Sequence, residues 1–565
     1  MTVESGASQS GGSSQQSGGS SEHSGGSSQG DGPPATFGDL LERAAAQRPA
    51  EVALIDAERR WTWLELRQAV ADLAAGLVGA GLRPDDRLAI QAPTSAEFVA
   101  VYLAALRAGL VIVPVNPGYT LPELEHILAD SGARMLVTSS VAVVAAADEL
   151  YARHARLSQI VVAARSGADG LPTVTELMAA GRTSPDGPPQ GLDRAGEQLA
   201  VLLYTSGTSG APKGAMLPVR ALLANLAQVA QLRPPPVSAR DRIYLPLPLF
   251  HVFGLNAGLG LALYFGASVV LAAKFDAAAS LEQVRDEQAT VVIGAPVEFA
   301  MWAGQPNLAD RFAGVRFALS GSAPLSAELV ARYAAVGVPL FEGYGLTEAA
   351  PVISLNLTPT GPESWAEPKA GSVGRPLPGV EVRLVDSDGE TVEVGDLGLL
   401  EVRGANLFLG YWPDAADGPG SDGWFSTGDL AVADDDGDYY LVGRRSDLVL
   451  VNGFNVYPAE VEAVFSKLPG VAEIAVLGVT ETESSQAIVA YVVPAPGVVL
   501  DPDELLDQAG RSLARFKLPK QIIEVAELPH TATGKVMKWR LRPADSGQPA
   551  GFGQPAGSGQ PVGRG

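Results

Sequence analysis

Residues Thr205 to Lys213 form a loop of glycines, hydroxyl side chains and one lysine that could wrap around phosphate. The loop reads TSGTSGAPK and lies between two apolar segments, AVLLY and AML. Its glycines would let backbone amides approach an anion, and its hydroxyls and Lys213 could donate to it. A Walker loop is excluded because Pro212 replaces its second glycine and Gly214 follows the lysine where Ser or Thr is required. The pattern favours a phosphate-binding hairpin loop, with a purely structural turn as the alternative.

Five further residues that could do chemistry stand in short motifs downstream. They are His251 in PLPLFHVFG, Glu348 in EGYGLTE, Asp429 in STGD, Arg444 in GRRSD and Lys535 in TATGK. Taken singly, each has an ordinary structural explanation. A histidine among aromatics is usually a core or gating group, a glutamate after a turn usually begins a helix, and a lysine near a chain end is usually a solvated charge. The motifs support a functional interpretation only when they are taken together as an ordered series.

The composition limits the classes of partner. A net charge of −23 disfavours nucleic acid and anionic membranes, which require a basic surface. The absence of cysteine excludes a thiol nucleophile and a cysteine-based metal site. No run of about 18 apolar residues predicts a membrane span, and no export signal is evident at the N-terminus. These features predict a soluble, cytoplasmic protein and leave its oligomeric state open.

The elements that must position these motifs follow an α/β pattern. Short apolar segments such as RLAIQAP, LVIVPV, RMLVTS and QIVVAA alternate with segments of helical spacing, and the alternation returns from 219 to 345. Such alternation predicts doubly wound parallel sheets. From 371 to 445 short strands and turns predict a small barrel or sandwich, and an α+β region follows.

The predicted organisation therefore has four parts. Residues 1–34, with repeated SGGSS, and 544–565, with repeated GQP, are predicted to be disordered tails. Residues 35–445 form a large domain of two doubly wound sheets plus a small β-barrel. Residues 446–543 form a small, mobile α+β domain that carries Lys535.

The ordered series of motifs resembles the adenylate-forming superfamily and, within it, the acyl-CoA synthetases or fatty-acid–CoA ligases. The series also includes SGSAPLS at 320–326 and NGFN at 452–455. The resemblance implies a two-step reaction. A carboxylate attacks the α-phosphate of ATP to give an acyl-adenylate and pyrophosphate, and the thiol of CoA then displaces AMP. Mg²⁺ assists the first step, and no protein nucleophile is needed.

The resemblance also implies roles for individual residues. The phosphate loop would comprise Thr205, Ser206, Gly207, Thr208, Ser209, Gly210 and Lys213. Adenine would lie between Gly321, Ser322, Ala323 and Pro324 and the stretch Glu342, Gly343, Tyr344, Gly345 and Leu346. Thr347 would contact the α-phosphate, Glu348 would bind Mg²⁺, and Asp429 and Arg444 would hold the ribose. The acid would contact His251, Val252, Phe253, Val297, Gly345 and Ala349.

The small domain would supply the remaining groups. Lys535 would stabilise the charge that develops during adenylation, and with Thr347, Glu348 and His251 it completes the predicted catalytic set. His251 is expected to line the acid and thiol channel and not to transfer a proton. A rotation at GRRSD would then bring Gly453, Phe454 and Asn455 to the pantetheine of CoA. Ser446 departs from the Asp or Lys common at the hinge position.

The apolar stretches FHVFG and GAPVEFAMWAG favour an apolar acid, with a fatty acid preferred. An amino acid is disfavoured because the family's Asp for the substrate ammonium is absent, and a diacid because no obvious cation would pair with its second carboxylate. Three alternatives remain: an aryl or other carboxylate–CoA ligase, an acyl-AMP ligase that loads a carrier protein, and a non-catalytic protein of the same fold. An acetyltransferase that modifies Lys535 would remove its charge and switch adenylation off.

Overall fold

The computed structural model describes residues 34–541 apart from 58, 164–169, 186, 206–211, 362–363, 452–453, 483–484 and 532–533. From Ala35 onward the chain clusters as one compact unit. The predicted tails lie almost wholly outside the described residues. The boundary predicted at 445/446 stays a prediction; the chain there passes through a 3₁₀ turn at Arg445–Asp447.

The helices and strands alternate over most of the chain. The helices are α1 Phe37–Gln47, α2 Trp63–Gly79, α3 Ala96–Arg107, α4 Leu121–Ser131, α5 Val141–Ala145, α6 Ala147–Arg153, α7 Val174–Arg182, α8 Val219–Ala230, α9 Leu261–Phe265, α10 Ala277–Asp286, α11 Pro296–Ala303, α12 Leu308–Arg311, α13 Ala327–Ala334, α14 Pro458–Phe465 and α15 Pro502–Ala509. The first strands are β1 Val52–Asp56, β2 Arg59–Thr62, β3 Arg87–Gln91, β4 Val111–Pro114, β5 Met135–Thr138, β6 Gln159–Val162, β7 Leu199–Thr205, β8 Lys213–Pro218, β9 Arg242–Leu245, β10 Ser268–Leu271, β11 Val291–Gly294 and β12 Phe317–Ser320. The later strands are β13 Leu340–Gly345, β14 Val352–Leu355, β15 Arg375–Pro376, β16 Val380–Val385, β17 Gly398–Gly404, β18 Phe425–Ala433, β19 Tyr439–Arg444, β20 Val449–Val451, β21 Phe454–Val456, β22 Val471–Thr482, β23 Ser485–Pro494 and β24 Gln521–Glu524. A π-helix spans Phe253–Gly260, and further 3₁₀ turns span Thr347–Ala349, Arg515–Lys517 and Lys538–Leu541.

The first sheet has six strands in the order β6-β5-β3-β4-β7-β8. Strands β3 to β6, which the sequence predicts as strands covered on both faces, are almost entirely buried. They pair in parallel with one another, and β4 pairs in parallel with β7. Strand β8 closes the edge by folding back antiparallel onto β7. Strands β7 and β8, which flank the predicted phosphate loop, therefore form an edge hairpin, as predicted from their apolar sequences.

The second sheet has nine strands in the order β15-β14-β13-β12-β11-β9-β10-β1-β2. Its centre is parallel, and the short strands at both edges run antiparallel. Strand β1 comes from the first part of the chain but pairs with β10, with Leu54 opposite Val269. The two doubly wound sheets are confirmed. The hairpin of β1 and β2 precedes the strands of the first sheet along the chain but belongs to the second sheet, which local sequence patterns could not predict. Parallel strands place their carboxyl ends at one edge, where loops commonly form ligand sites.

The region from 371 to 445, where the sequence indicates a small barrel or sandwich, contains an antiparallel meander. Its strands run β16-β17-β18-β19 in sequence order, and among the described residues the two outer strands form its edges. In the last part of the chain, a sheet of β22, β23 and β24 packs against α14 and α15 through a core that includes Val461, Phe465 and Leu505. This α+β region agrees with the predicted small domain. Across the described ranges, every helix is too short or too polar to cross a bilayer.

Candidate functional site

The phosphate hairpin is present, with Thr205 opposite Lys213 where β7 and β8 end. The Thr205 hydroxyl donates to the Lys213 carbonyl at 3.5 Å. The Lys213 ammonium forms an ion pair of 3.0 Å with Asp417 and lies 5.3 Å from the ring centre of Tyr411. Ser206, Gly207, Thr208, Ser209 and Gly210 lie outside the described residues. The described part thus brings a partly exposed cation to the mouth of the hairpin.

Glu348 stands in the 3₁₀ turn after β13, next to Thr347. Its carboxylate accepts a hydrogen bond from the Tyr411 hydroxyl, and its backbone carbonyl accepts one of 2.8 Å from the Phe408 amide. Gly345 must be glycine, since a Cβ there would lie 2.0 Å from the Pro351 carbonyl oxygen. This close approach fixes the turn that presents Glu348. A carboxylate is the type of oxygen ligand that Mg²⁺ prefers, so the donor fits the predicted metal.

Asp429 joins two other predicted nucleotide contacts. It lies opposite Arg444 on β18 and β19, and the Arg444 Nε is 3.0 Å from its Oδ1. Tyr344 donates its hydroxyl to Asp429 Oδ2 at 2.5 Å. Burial and Asp429 raise the pKa of Tyr344, so its hydroxyl remains a donor. Burial opposes the charge on Arg444, but Asp429 and other anionic neighbours outweigh it and raise the pKa of Arg444.

The segment SGSAPLS forms the turn between β12 and α13. Ser320 at the end of β12 has a buried hydroxyl that finds no partner among the described residues. A Cβ on Gly321 would lie 3.1 Å from the Phe253 ring, and Ser322 adopts a φ of +76°. Ser326 caps α13, as its position predicts, by accepting from the Leu329 amide. The backbone conformation at Ser322 is one that structures retain chiefly where function or packing demands it.

His251 begins the segment that continues into the π-helix. Its ring lies 4.8 Å from that of Phe250, and its buried Nε2 has no partner in the described part of the chain. Burial lowers the pKa of His251 to about 4. The imidazole is therefore neutral near pH 7 and too weakly basic to be a good proton acceptor, which agrees with the predicted channel role.

A narrow crevice of about 10 Å³ lies between the second sheet and the helices that cover it. Its lining is wholly apolar and includes Ala257, Leu261, Ile293, Leu319 and Val352. Ala257 lies one helical turn after the predicted acid contact Phe253, and Val352 follows Ala349 along the chain. Both candidates therefore stand next to the crevice in sequence, and its other walls include Ile293 on β11 and Leu319 on β12.

The other predicted acid contacts have different surroundings. Val252 is buried, whereas Val297 on α11 is 43% exposed. A Cβ at Gly534 would lie 2.7 Å from Val297, so this side chain faces the loop before Lys535. In the small domain, Phe454 and Asn455 stand on β21, and Gly453 lies outside the described residues.

Lys535 is held in a tight turn near the Asp429–Arg444 pair. The Thr531 hydroxyl accepts from the Lys535 amide at 3.0 Å, and the Lys535 carbonyl accepts from the Thr531 amide at 2.8 Å. The side chain keeps an exposed surface, yet desolvation and the nearby Arg444 lower the pKa of Lys535 while Asp429 partly offsets them. The structure thus brings residues from 429, 444 and 535 together.

Glu298 is a buried carboxyl that the predicted roles do not use. It accepts from the Ala295 amide at 2.7 Å as the cap of α11, and burial raises the pKa of Glu298 to about 7. Its usual value is 4.5, so ionisation costs stability progressively as pH rises from about 4.5 to 7, and the full cost persists above pH 7.

Glu298→Gln should therefore stabilise the protein at pH 8 by up to about 3 kcal/mol and much less at pH 5. Glutamine keeps an acceptor for the capped amide. Thermal unfolding at both pH values measures the effect, with the exposed Glu328→Gln as control. A gain of equal size at pH 5 would contradict the burial argument.

Tyr411 and Asp417 are site residues that sequence reasoning missed. They lie in LGYWPDAADG, whose aromatic–glycine turn resembles an ordinary loop. Their contacts with Glu348 and Lys213 join chain segments that are far apart in sequence, and local sequence periodicity does not predict such contacts.

Comparisons with known proteins give a consistent family. The sequence profile described as "AMP-binding enzyme" matches residues 41–412, and that described as "AMP-binding enzyme C-terminal domain" matches 460–535. A feruloyl-CoA synthase of an Amycolatopsis species is 36% identical over 89% of this chain and 98% of its own. A long-chain-fatty-acid–CoA ligase of Salmonella typhimurium is 32% identical over 90% of this chain and 94% of its own. The ATP-bound crystal structure of MatB from Rhodopseudomonas palustris superposes with a TM-score of 0.80 at 32% identity, covering 89% of this chain and 98% of that one.

Proposed function

Because the chain belongs to the AMP-binding enzyme family and is an AMP-forming acid–thiol ligase, we propose that it joins an apolar carboxylic acid, preferentially a fatty acid, to coenzyme A. The observation that carries the choice of acid is the apolar crevice lined by Ala257 and Leu261, which follow His251 and Phe253 along the chain; its lining holds no charged or polar side chain. With a volume of about 10 Å³, the crevice must widen to take an acid. An apolar tail gains free energy on entering such a space, whereas a second carboxylate would lose its hydration without a partner.

In the first half-reaction the acid carboxylate attacks the α-phosphorus of ATP, and the bond to the β-phosphate bridging oxygen breaks. Lys213 and the hairpin loop hold the departing pyrophosphate, and Thr347 contacts the α-phosphate. Asp429 and Arg444 hold the ribose. Mg²⁺, when bound by Glu348, offsets phosphate charge. Lys535 stabilises the negative charge that develops between the carboxylate and the α-phosphate, so catalysis consists of positioning and charge stabilisation.

In the second half-reaction the CoA thiol attacks the acyl carbon, and AMP leaves. Lys535 has no role in this step. A rotation near Ser446 would withdraw it and bring up the loop of Gly453, Phe454 and Asn455. Support for this division comes from the turn that carries Lys535. The Lys535 amide donates within that turn to the Thr531 hydroxyl, and the neighbouring Gly534 lies against the partly exposed side chain of Val297.

One further acid fits a specific observation. The similarity to a feruloyl-CoA synthase supports an aryl acid as the second candidate substrate. An apolar crevice accepts an aromatic ring as readily as an alkyl tail. A carrier-protein thiol in place of CoA is the second candidate acceptor.

Pyrophosphate release across straight-chain acids of graded length, each with and without CoA, tests the proposal. We expect kcat/KM to rise about three- to fourfold per methylene until the crevice is full. A dicarboxylic acid of matched length is the control and should react at least about 100-fold more slowly. A preferred diacid would overturn the apolar-acid proposal, a preferred hydroxycinnamate would favour the aryl candidate, and transfer to a carrier protein but not to CoA would overturn the proposed acceptor.

A further inference from the structure

Tyr411 contacts both ends of the candidate phosphate and metal site. Its hydroxyl donates to the Glu348 carboxylate, and its ring lies 5.3 Å from the Lys213 ammonium. Asp417, six residues later, forms the 3.0 Å ion pair with the same lysine. One short segment therefore contacts both the carboxylate proposed to bind Mg²⁺ and the lysine proposed to hold the phosphates of ATP.

Backbone hydrogen bonds fix the segment against the phosphate hairpin. Amides of Leu409 and Trp412 donate to the carbonyls of Met216 and Gly214 at 2.9 and 2.8 Å, and the Met216 amide donates to the Gly410 carbonyl at 3.1 Å. The segment thus lies beside β8 as an added strand. Tyr411 is placed by the same ladder that holds Lys213, so the two side chains keep a fixed relation.

A second set of contacts ties the segment to the base of the hairpin. The Trp412 indole donates to the Asp130 carbonyl at 3.0 Å, and the Tyr204 hydroxyl donates to the Asp130 carboxylate at 2.5 Å. The Phe408 ring packs edge-on against Tyr411 with centres 5.2 Å apart. The Tyr411 ring therefore packs against Phe408 within a segment that is anchored to the hairpin, and such support is what a hydroxyl needs if it is to orient another side chain.

The hydrogen bond that the phenol donates is also of the right kind for this task. A hydroxyl that donates to a carboxylate forms a charge-assisted bond and occupies one lone pair of one oxygen. The carboxylate is then fixed about its last torsion while its remaining lone pairs stay available for a cation.

We propose that Tyr411 is a positioning residue of the nucleotide site, whose hydroxyl holds the Glu348 carboxylate in the orientation that binds Mg²⁺ with ATP and whose ring keeps Lys213 beside it. The inference rests on the proposed metal role of Glu348. It adds a residue that touches neither ATP nor the metal and acts through its two neighbours.

Tyr411→Phe removes the hydroxyl and keeps the ring. The probe is Mn²⁺, titrated by electron paramagnetic resonance against the full-length protein with a non-hydrolysable ATP analogue and without acid or CoA. We expect an approximately tenfold weaker Mn²⁺ affinity, because a hydrogen bond to a charged group is lost. The KM for MgATP should rise by a similar factor, and kcat at saturating MgATP should change less. Unchanged Mn²⁺ affinity would overturn the inference.

Tyr244→Phe is the matched control, because the Tyr244 hydroxyl also donates to a side-chain oxygen, Gln283 Oε1 at 3.0 Å, outside the candidate site. Its Mn²⁺ affinity should equal that of the parent. Glu348→Gln should weaken Mn²⁺ binding, and adding Tyr411→Phe should then have little further effect. A full additional tenfold loss would overturn the inference alone. No effect of Glu348→Gln would overturn the inference together with the metal role proposed for Glu348.

Discussion

Lys535→Ala should slow acyl-adenylate formation by about 10²- to 10³-fold, while transfer of the acyl group from pre-made acyl-AMP to CoA continues near the parent rate. In the proposed mechanism the lysine is the cation that stabilises charge that appears only during adenylation. Its location beside Asp429 and Arg444 places it at the predicted ribose and phosphate side of the nucleotide. Single-turnover pyrophosphate release measures the first step, and CoA thioester formation from synthetic acyl-AMP measures the second.

Lys538→Ala provides the control, since Lys538 lies in the same segment but pairs with Glu462 at 2.7 Å. It should leave both half-reactions near the parent rates. Lys535→Gln, which carries a neutral amide, should reproduce the loss seen with alanine. Equal losses of adenylation in Lys535→Gln and Lys535→Ala would support the hypothesis that acetylation of Lys535 switches adenylation off. Adenylation at the parent rate in Lys535→Ala would contradict the assigned role.

The same geometry gives adenylation a pH dependence. Desolvation and Arg444 lower the pKa of Lys535 from the usual lysine value of 10.5. Rising pH removes the proton and with it the catalytic cation, so the alkaline decline of adenylation should begin at a lower pH than an ordinary lysine would cause. The second half-reaction, which does not use Lys535, should not share this decline.

The sequence predicts most of the fold because its strands are short, apolar and separated by amphipathic helices. Strands β3 to β6 and β10 to β12 lie where those segments predict them. The partner of β1 could not be predicted, because an apolar strand pairs equally well with any neighbour of similar length. Only packing of the whole chain brings Leu54 beside Val269.

The site residues likewise divide into those that local sequence motifs reveal and those that only contacts between distant segments reveal. Motifs that end parallel strands, such as those of Ser320 and Glu348, are local and visible in the sequence. Tyr411 cannot be recognised from the local sequence, because its proposed role depends on contacts with Lys213 and Glu348, which lie elsewhere in the chain. Its turn has the composition of any exposed loop, and only the strand-like pairing with β8 reveals that the phenol faces a carboxylate.

Glu348→Gln should reduce kcat/KM for MgATP by about 10²-fold or more. Glutamine keeps the shape and can still accept from Tyr411, but it replaces an anionic oxygen with a neutral one that Mg²⁺ binds weakly. The change removes charge at a turn fixed by Gly345, where a Cβ would overlap the Pro351 carbonyl, so the backbone should remain in place. The loss should therefore reflect the metal and not the fold. Rates of pyrophosphate release over a range of free Mg²⁺ concentrations measure it.

Glu393→Gln is the control, because Glu393 is exposed in the turn between β16 and β17 and contributes the same change in net charge. It should bind MgATP as the parent does. Thermal unfolding of Glu348→Gln should lie within a few degrees of the parent, since one charge-assisted hydrogen bond becomes a neutral one. Parent-like kcat/KM at low Mg²⁺ would show that another group holds the metal. A large fall in stability together with activity would assign Glu348 to the fold instead, because the metal interaction is made only when nucleotide is bound.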